Sequence, residues 1–338
     1  MFLDDSFDDF VRNQDLASTT TLRGWSRRLD TLRTYYPDGF DSPPALRRWE
    51  YQATCERSLA ESLNLHGLPN RANVVFARHD VLCRAHDDSN RLSDALALHG
   101  KSRRQCGEFR LAESLTCEAI SLLRAESASS VRIGAALAWL GMSQAHRGAS
   151  LDSATSFDEA IEAFGSESAA DAQGVIAAFR AQRALWLGDA DSALHNANAA
   201  WAFAETRDSA GSPDRFRARK VTASAARMRG EAYGLQGRKR ASLDSLFRAY
   251  GLARPVSFVE EMIPALKAMA EVTSGPVRTS VLAEAAKLAE LGGYRPFMAE
   301  ILLTEGHVLE ARTAAQCDGH PYAYQRVLDL TGRSTKAT

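Results

Sequence analysis

Three stretches decide the fold: "GEFRLAESLTCEAISLL" from Gly107 to Leu123, "GDADSALHNANAAWAFA" from Gly188 to Ala204, and "GRKRASLDSLFRAYGLA" from Gly237 to Ala253. Each opens on Gly and continues as an amphipathic helix with small residues along one stripe. Upstream of each lies another helical stretch. A second Gly stands seven residues before the first at Gly100 and Gly230, and the pair Gly141 and Gly148 repeats the spacing. A Gly inside a helix costs about 1 kcal/mol relative to Ala, so glycines in one phase call for a packing reason. Close approach of two antiparallel helices supplies it, with Ala112, Ala154, Ala193 and Ser242 as the small residues on the second helix.

Apolar residues recur at three and four positions along nearly the whole chain, and the short Val74-Val75-Phe76 run sits inside a helical pattern. The chain therefore reads as all-α. Its 338 residues allow two domains or one extended array. With 41 Lys and Arg against 42 Asp and Glu, the formal net charge of -1 provides no global field toward nucleic acid or an anionic membrane. Five scattered Cys without a C-x-x-C pair predict reduced thiols. Acidic residues follow Met1 where a signal peptide would be basic, and no apolar window reaches a membrane-spanning length; a cytoplasmic protein is expected.

The paired pattern resembles the tetratricopeptide repeat, a helical hairpin of about 34 residues. The copy most like it has Gly230, Tyr233, Gly237, Ser242 and Ala249; others are Gly100, Gly107, Ala112 and Ala119, then Gly141, Gly148, Ala154 and Ile161, then Ala181, Gly188, Ala193 and Ala200. The resemblance implies a right-handed α-solenoid of antiparallel helix pairs: divergent capping pairs over 1–90, repeats over 91–254, further pairs and a cap over 255–332, and a tail over 333–338. Capping helices are expected at 21–36, 44–65 and 70–86, and later pairs at 258–270 with 277–291 and 296–313 with 321–331. "YRPFMAEILLTEGHVLEARTAAQCDGHPYAYQRVLDLTG", from Tyr294 to Gly332, resembles the end of the helical-repeat sensor regions of bacterial signal-transduction ATPases and defence proteins. On that likeness Asp318-Gly319 stops a helix and Pro321 opens the next, so Cys317 and His320 belong to a structural turn.

In such arrays the first helix of each pair lines a concave groove. The family's groove phase, carried onto this chain, falls on Lys101, Arg104 and Gln105, then Met142 and His146, then Gln182 and Trp186, then Arg227 and Glu231. The resemblance implies a non-enzymatic scaffold or sensor that binds a protein or peptide, as a regulatory subunit in a bacterial signalling or defence system, with no catalytic residue, metal or cofactor. Oligomeric state is not legible. Because Arg227 lies in the groove phase and Arg238 to Arg240 at the turn of the same pair, an acidic partner is expected there.

Other patterns compete with this reading. "ALALHGKS", from Ala95 to Ser102, fits a loose phosphate-loop string, yet "LALH" is helical and no strand precedes it. His66, His79-Asp80 and His86-Asp87 are similar to the ligand set of all-α metal-dependent phosphohydrolases, which makes a hydrolase the alternative of a different class. The basic run 215–240, carrying Arg215, Arg217, Arg219, Lys220, Arg227, Arg229, Arg238, Lys239 and Arg240, offers nucleic-acid binding as a weaker reading, since aromatic interleaving is sparse. "STTTLRGWSRRLDTL", from Ser18 to Leu32, has the look of a helix-turn-helix segment. Residues 152–171 hold six acids and no base, and "FLDDSFDDF" near the N-terminus is either a capping helix or an autoinhibitory acidic segment.

Overall fold

The computed structural model describes residues 4, 7, 22–165, 169–208 and 215–315. Among them there are fifteen α-helices, one short 3-10 turn and no strand. The first, α1 (Leu22–Arg33), is followed by residues 34–48 without a helix. The three- or four-residue turn of a helix-turn-helix motif is therefore absent from Arg33 onward.

The array proper consists of hairpins: α2 (Trp49–Leu65) with α3 (Pro69–Ala85), α4 (Ser89–Gln105) with α5 (Phe109–Ala125), α6 (Ser130–His146) with α7 (Ser150–Phe164), and α8 (Ala169–Trp186) with α9 (Ala190–Asp208). Then come α10 (Arg215–Leu235) with α11 (Lys239–Ala253), α12 (Val259–Val272) with α13 (Gly275–Gly292), and α14 (Arg295–Glu305) with α15 (Val308–Ala315). Trp49, Ser89, Ser130 and Ala169 begin the first four hairpins, so the steps are 40, 41 and 39 residues, longer than the 34 implied by the family likeness. The segment expected as one helix over 296–313 is instead a hairpin, turned at Gly306 with φ +92°.

Local signals explain the boundaries. Asp88 accepts from the Arg91 amide at 2.9 Å and Asp189 from the Ser192 amide at 3.0 Å, satisfying two of the free amides at the starts of α4 and α9. Pro69 and Pro296 occupy first-turn positions, where a missing N–H costs nothing. The hairpin turns at Gly107 and Gly237 have φ +85° and +73°, the left-handed region that a side chain rarely enters.

One spacing runs through six hairpins. A small residue stands seven positions before the turn glycine, and another five after it: Ala60, Gly67 and Ala72; Gly100, Gly107 and Ala112; Gly141, Gly148 and Ser153; Ala181, Gly188 and Ala193; Gly230, Gly237 and Ser242; Ala299, Gly306 and Ala311. The residues five after the turn are all buried. This corrects the third copy by one position: Ser153 and Ala160 are fully buried, whereas Ala154 and Ile161 are only half-buried. It also starts the repeat at Trp49, inside the segment expected as a divergent cap. The preceding glycines are where the helices touch. A Cβ on Gly141 would lie 2.6 Å from the Phe157 ring, and one on Gly100 would lie 2.9 Å from the Ala112 carbonyl oxygen. Gly100 and Lys101 thus lie within α4, which removes the phosphate-loop reading of Ala95 to Ser102.

The first helices of successive hairpins pack on one another, α4 on α6, α6 on α8, α8 on α10 and α10 on α12, and so form the inner layer. The layer curls until the array meets itself. α13 reaches α3, and the α2–α3 turn seats against the start of α12: a Cβ on Gly67 would lie 2.7 Å from Val259 Cβ, and one on Gly293 2.9 Å from Asn70 Cβ. The fold is an α-solenoid of tetratricopeptide type, closed by contact between its first and sixth hairpins.

At the N-terminus, Phe7 is fully buried with its ring 5.0 Å from Tyr35 and 5.5 Å from Tyr51, and Asp4 accepts from the Arg47 amide at 3.1 Å. These two residues of the acidic segment pack on the N-terminal helices, away from the basic positions an autoinhibitor would occupy. The Cys317–His320 turn lies outside the described residues.

Candidate functional site: a central cavity lined by the inner helices

Closure of the array leaves a cavity of about 750 Å3, lined by α4, α6, α8, α10, α12 and α14. The hairpin spacing explains how its wall is supplied. The residue six before each turn glycine is Lys101, Met142, Gln182 or Glu231, and all four face the cavity. One helical turn away from these, Arg104, His146, Trp186 and Arg227 join them, because residues three or four apart share a helix face. Of the nine residues read from sequence as a groove, eight line this space. Gln105 stands behind it, donating from Nε2 to Glu260 at 2.8 Å while its Oε1 accepts from Asn64 at 2.9 Å. Gln105 thereby ties the first hairpin to α12.

The wall is both aromatic and ionic. Lys101 Nζ lies 4.8 Å and Arg104 Cζ 5.7 Å from the centre of the Trp139 ring, within cation–π reach. His146 stacks on Phe109 at 5.0 Å and meets the Trp186 ring edge-on at 4.2 Å. Arg104 pairs with Glu260 at 2.6 Å, Arg227 with both Glu231 and Glu261, and Lys267 with Glu300 at 3.0 Å and Glu271 at 3.6 Å. Desolvation would lower the Arg227 pKa, but Glu261 and Glu231 outweigh it and raise it above the ordinary value, so the guanidinium stays charged. Burial lowers the Lys101 pKa, with Glu260 opposing. Among the described residues no carboxylate lies within 4 Å of Lys101 Nζ.

This arrangement revises the expected electrostatics of the groove. Arg227 is already neutralised by two carboxylates, Glu231 and Glu261, so it is not itself a spare positive charge for an acidic partner. Sequence reasoning missed the α12 contribution of Glu260, Glu261 and Lys267. Its signal was present in "VEEMIPALKAM", Val259 to Met269, where charged residues stand in an otherwise apolar helix that also contains Pro264.

Burial would raise the Glu260 carboxyl, but Arg104 and Lys101, with hydrogen bonds from Arg104 and Gln105, hold it at about 2. A folded value below the unfolded one gives stability that is complete above about pH 4.5 and is lost as pH falls toward about 2. Glu260→Gln is expected to flatten the fall of melting temperature across that window, measured by circular dichroism. An unchanged slope would show that this carboxyl is not held by Arg104.

The residues of the hydrolase reading do not converge. His79 and Asp80 are buried between helices; Asp80 is held by His99, whose Nδ1 lies 2.7 Å from Oδ2, while Arg103 Nε donates to His99 Nε2 at 2.9 Å. His86 stacks on Trp49 at 4.2 Å, and His66 Nδ1 is 2.7 Å from the Ser62 carbonyl of its own helix. No group of three or more His, Cys, Asp or Glu among the described residues is placed to hold a metal ion. Cys83 Sγ lies 3.5 Å from His79 Nε2, but burial pushes the thiol up to about 12. That is the opposite of the shift that activates a nucleophile.

No protein-family model and no curated protein matches the chain. Among solved structures, the P58(IPK) TPR domain is similar over 93% of this chain and 98% of that one, at 10% identity and a TM-score of 0.27. Yeast Tom70 is similar over 93% of this chain and 96% of that one, at 10% identity and a TM-score of 0.26. The tetratricopeptide-type description rests on the chain's own hairpins. No helix among the described residues is long and apolar enough to cross a membrane.

Proposed function

We propose that the protein is a non-enzymatic scaffold or sensor that holds a short peptide segment of a protein partner in its central cavity, as the regulatory component beside a separate effector in a bacterial signalling or defence system. The observation that carries the reading is the convergence of residues in one phase of successive inner helices onto a single cavity. Its volume of about 750 Å3 falls in the range of roughly 300 to 1,000 Å3 typical of small-ligand sites. An extended segment of a few residues fits that space; a folded domain does not. Trp139, Phe179 and Trp186 offer apolar contact, Gln182 and Ser224 offer hydrogen bonds, and Lys101 offers an ammonium that Glu260 influences without pairing to it within 4 Å. The signalling assignment is supported by the likeness of the stretch from Tyr294 to Gly332 to sensor-region ends, and a cytoplasmic setting by the free Cys55, Cys83, Cys106 and Cys117.

The test is affinity capture from the native host with the parent protein and with Lys101→Glu and Trp186→Ala side by side. Proteins held by the parent should be lost from both variants, and partner addition should shift the tryptophan emission of the parent. Equal capture by all three proteins would place the contact elsewhere.

A further inference from the structure

The basic run divides into an inward and an outward set. Arg227 faces the cavity and is paired; Arg229, Arg238, Lys239, Arg240, Arg248 and Arg254 have no carboxylate within 4 Å among the described residues. Elsewhere pairing is common: Arg57, Arg84, Arg132, Arg147 and Arg180 each hold an Asp or Glu. Between residues 219 and 254 the only acids are Glu231, committed to Arg227, and Asp244, four positions from both Arg240 and Arg248.

These cations are also held in place. Arg229 and Arg248, from α10 and α11, lie over the Trp201 ring on α9, with Cζ at 5.1 and 4.2 Å from its centre. Arg238 lies over Tyr233 at 4.4 Å, and Tyr233 is one turn along α10 from Arg229. Arg229 Nε is buried with no hydrogen-bond partner. A guanidinium held over a ring loses less side-chain entropy on binding, and its planar fork of N–H groups suits two-point contact with a carboxylate. Phe247, 58% exposed, stands next to Arg248.

We propose that this outer face of α10 and α11 docks an acidic segment of a partner protein, its carboxylates pairing with Arg229, Arg238 and Arg248 and an apolar side chain covering Phe247. The surface is distinct from the central cavity and supplies a second contact. Nucleic acid fits it less well. Trp201 is 8% exposed and its ring is taken by guanidinium groups, so it offers no face for base stacking. The net charge of -1 gives no wider field to gather a phosphate backbone.

The test uses the full chain and two fluorescein-labelled probes, a glutamate-rich peptide containing leucines and a duplex DNA, followed by fluorescence anisotropy at low and moderate salt. The peptide should bind more tightly than the DNA. Arg229→Glu combined with Arg248→Glu should weaken peptide binding by at least about tenfold, while reversal of the exposed Arg110 on α5 should leave it unchanged. Arg238→Glu with Arg240→Glu, at an exposed turn, should give the same loss if the first pair disturbs folding. The proposal is overturned if the parent does not bind the peptide, if neither double variant weakens it, or if the DNA binds as tightly through the same residues.

Discussion

Replacing Arg227 by Ala should destabilise the protein by about 3 to 5 kcal/mol, the usual cost of removing one partner from a buried ion pair. Arg227 is 3% exposed and lies between Glu231 on its own helix and Glu261 on α12. Removing the guanidinium leaves the buried Glu261 without its cation at the junction of two hairpins. The loss should appear as a fall in urea midpoint. The double variant Arg227→Met with Glu261→Met should recover most of it, because two apolar side chains carry no desolvation penalty. A single-variant midpoint equal to the parent's would mean that these charges are solvated and that α10 and α12 are farther apart than described.

Gly230→Leu should cost about 1 to 3 kcal/mol by overpacking. A Cβ at Gly230 would lie 2.6 Å from Leu246 Cγ and 3.1 Å from the Ser242 carbonyl, and Leu246 is fully buried, so neither neighbour can yield cheaply. Gly251 provides the contrast. It lies inside α11, and nothing stands within 4 Å of the position its Cβ would take. Gly251→Ala should therefore raise stability by up to about 1 kcal/mol through helix propensity alone. Melting temperatures of the two variants on opposite sides of the parent would support the assigned repeat phase; a Gly230→Leu protein as stable as the parent would refute it.

The hairpins were legible because their determinants are local. Turn glycines, small residues at fixed offsets and 3.6-residue periodicity all act within about forty residues, and the groove positions follow from the same phase. The slip at Ala154 has a physical cause. Full burial between paired helices selects for small volume, and Ser153 meets that requirement as well as Ala does, so a reading guided by hydrophobicity chose the neighbour. The N-terminal hairpin was hidden for a similar reason: Ala60 stands where Gly100, Gly141 and Gly230 do, and His79 stands, buried, where Ala119 and Ala200 do.

Closure of the array was not legible. It results from small rotations accumulated over four to five hairpins, and the residues that meet, Gly67 with Val259 and Gln105 with Glu260, are more than 150 positions apart. No local pattern encodes that sum. The partners of Arg227 were hidden with it, since the expected acidic ligand was inferred from a cation whose second neutralising carboxylate comes from the next hairpin.

Closure is the central claim, and a double-mutant cycle on Arg104 and Glu260 tests it most directly. The two residues form a 2.6 Å ion pair across 156 positions of sequence. In the closed array, Arg104→Ala and Glu260→Ala should be coupled by at least about 1 kcal/mol, within the range of 0.5 to 3 kcal/mol typical of residues in contact. In an open solenoid, where repeats touch only their neighbours, the two changes would add to within about 0.5 kcal/mol, and that additivity would contradict both the closure and the cavity it encloses.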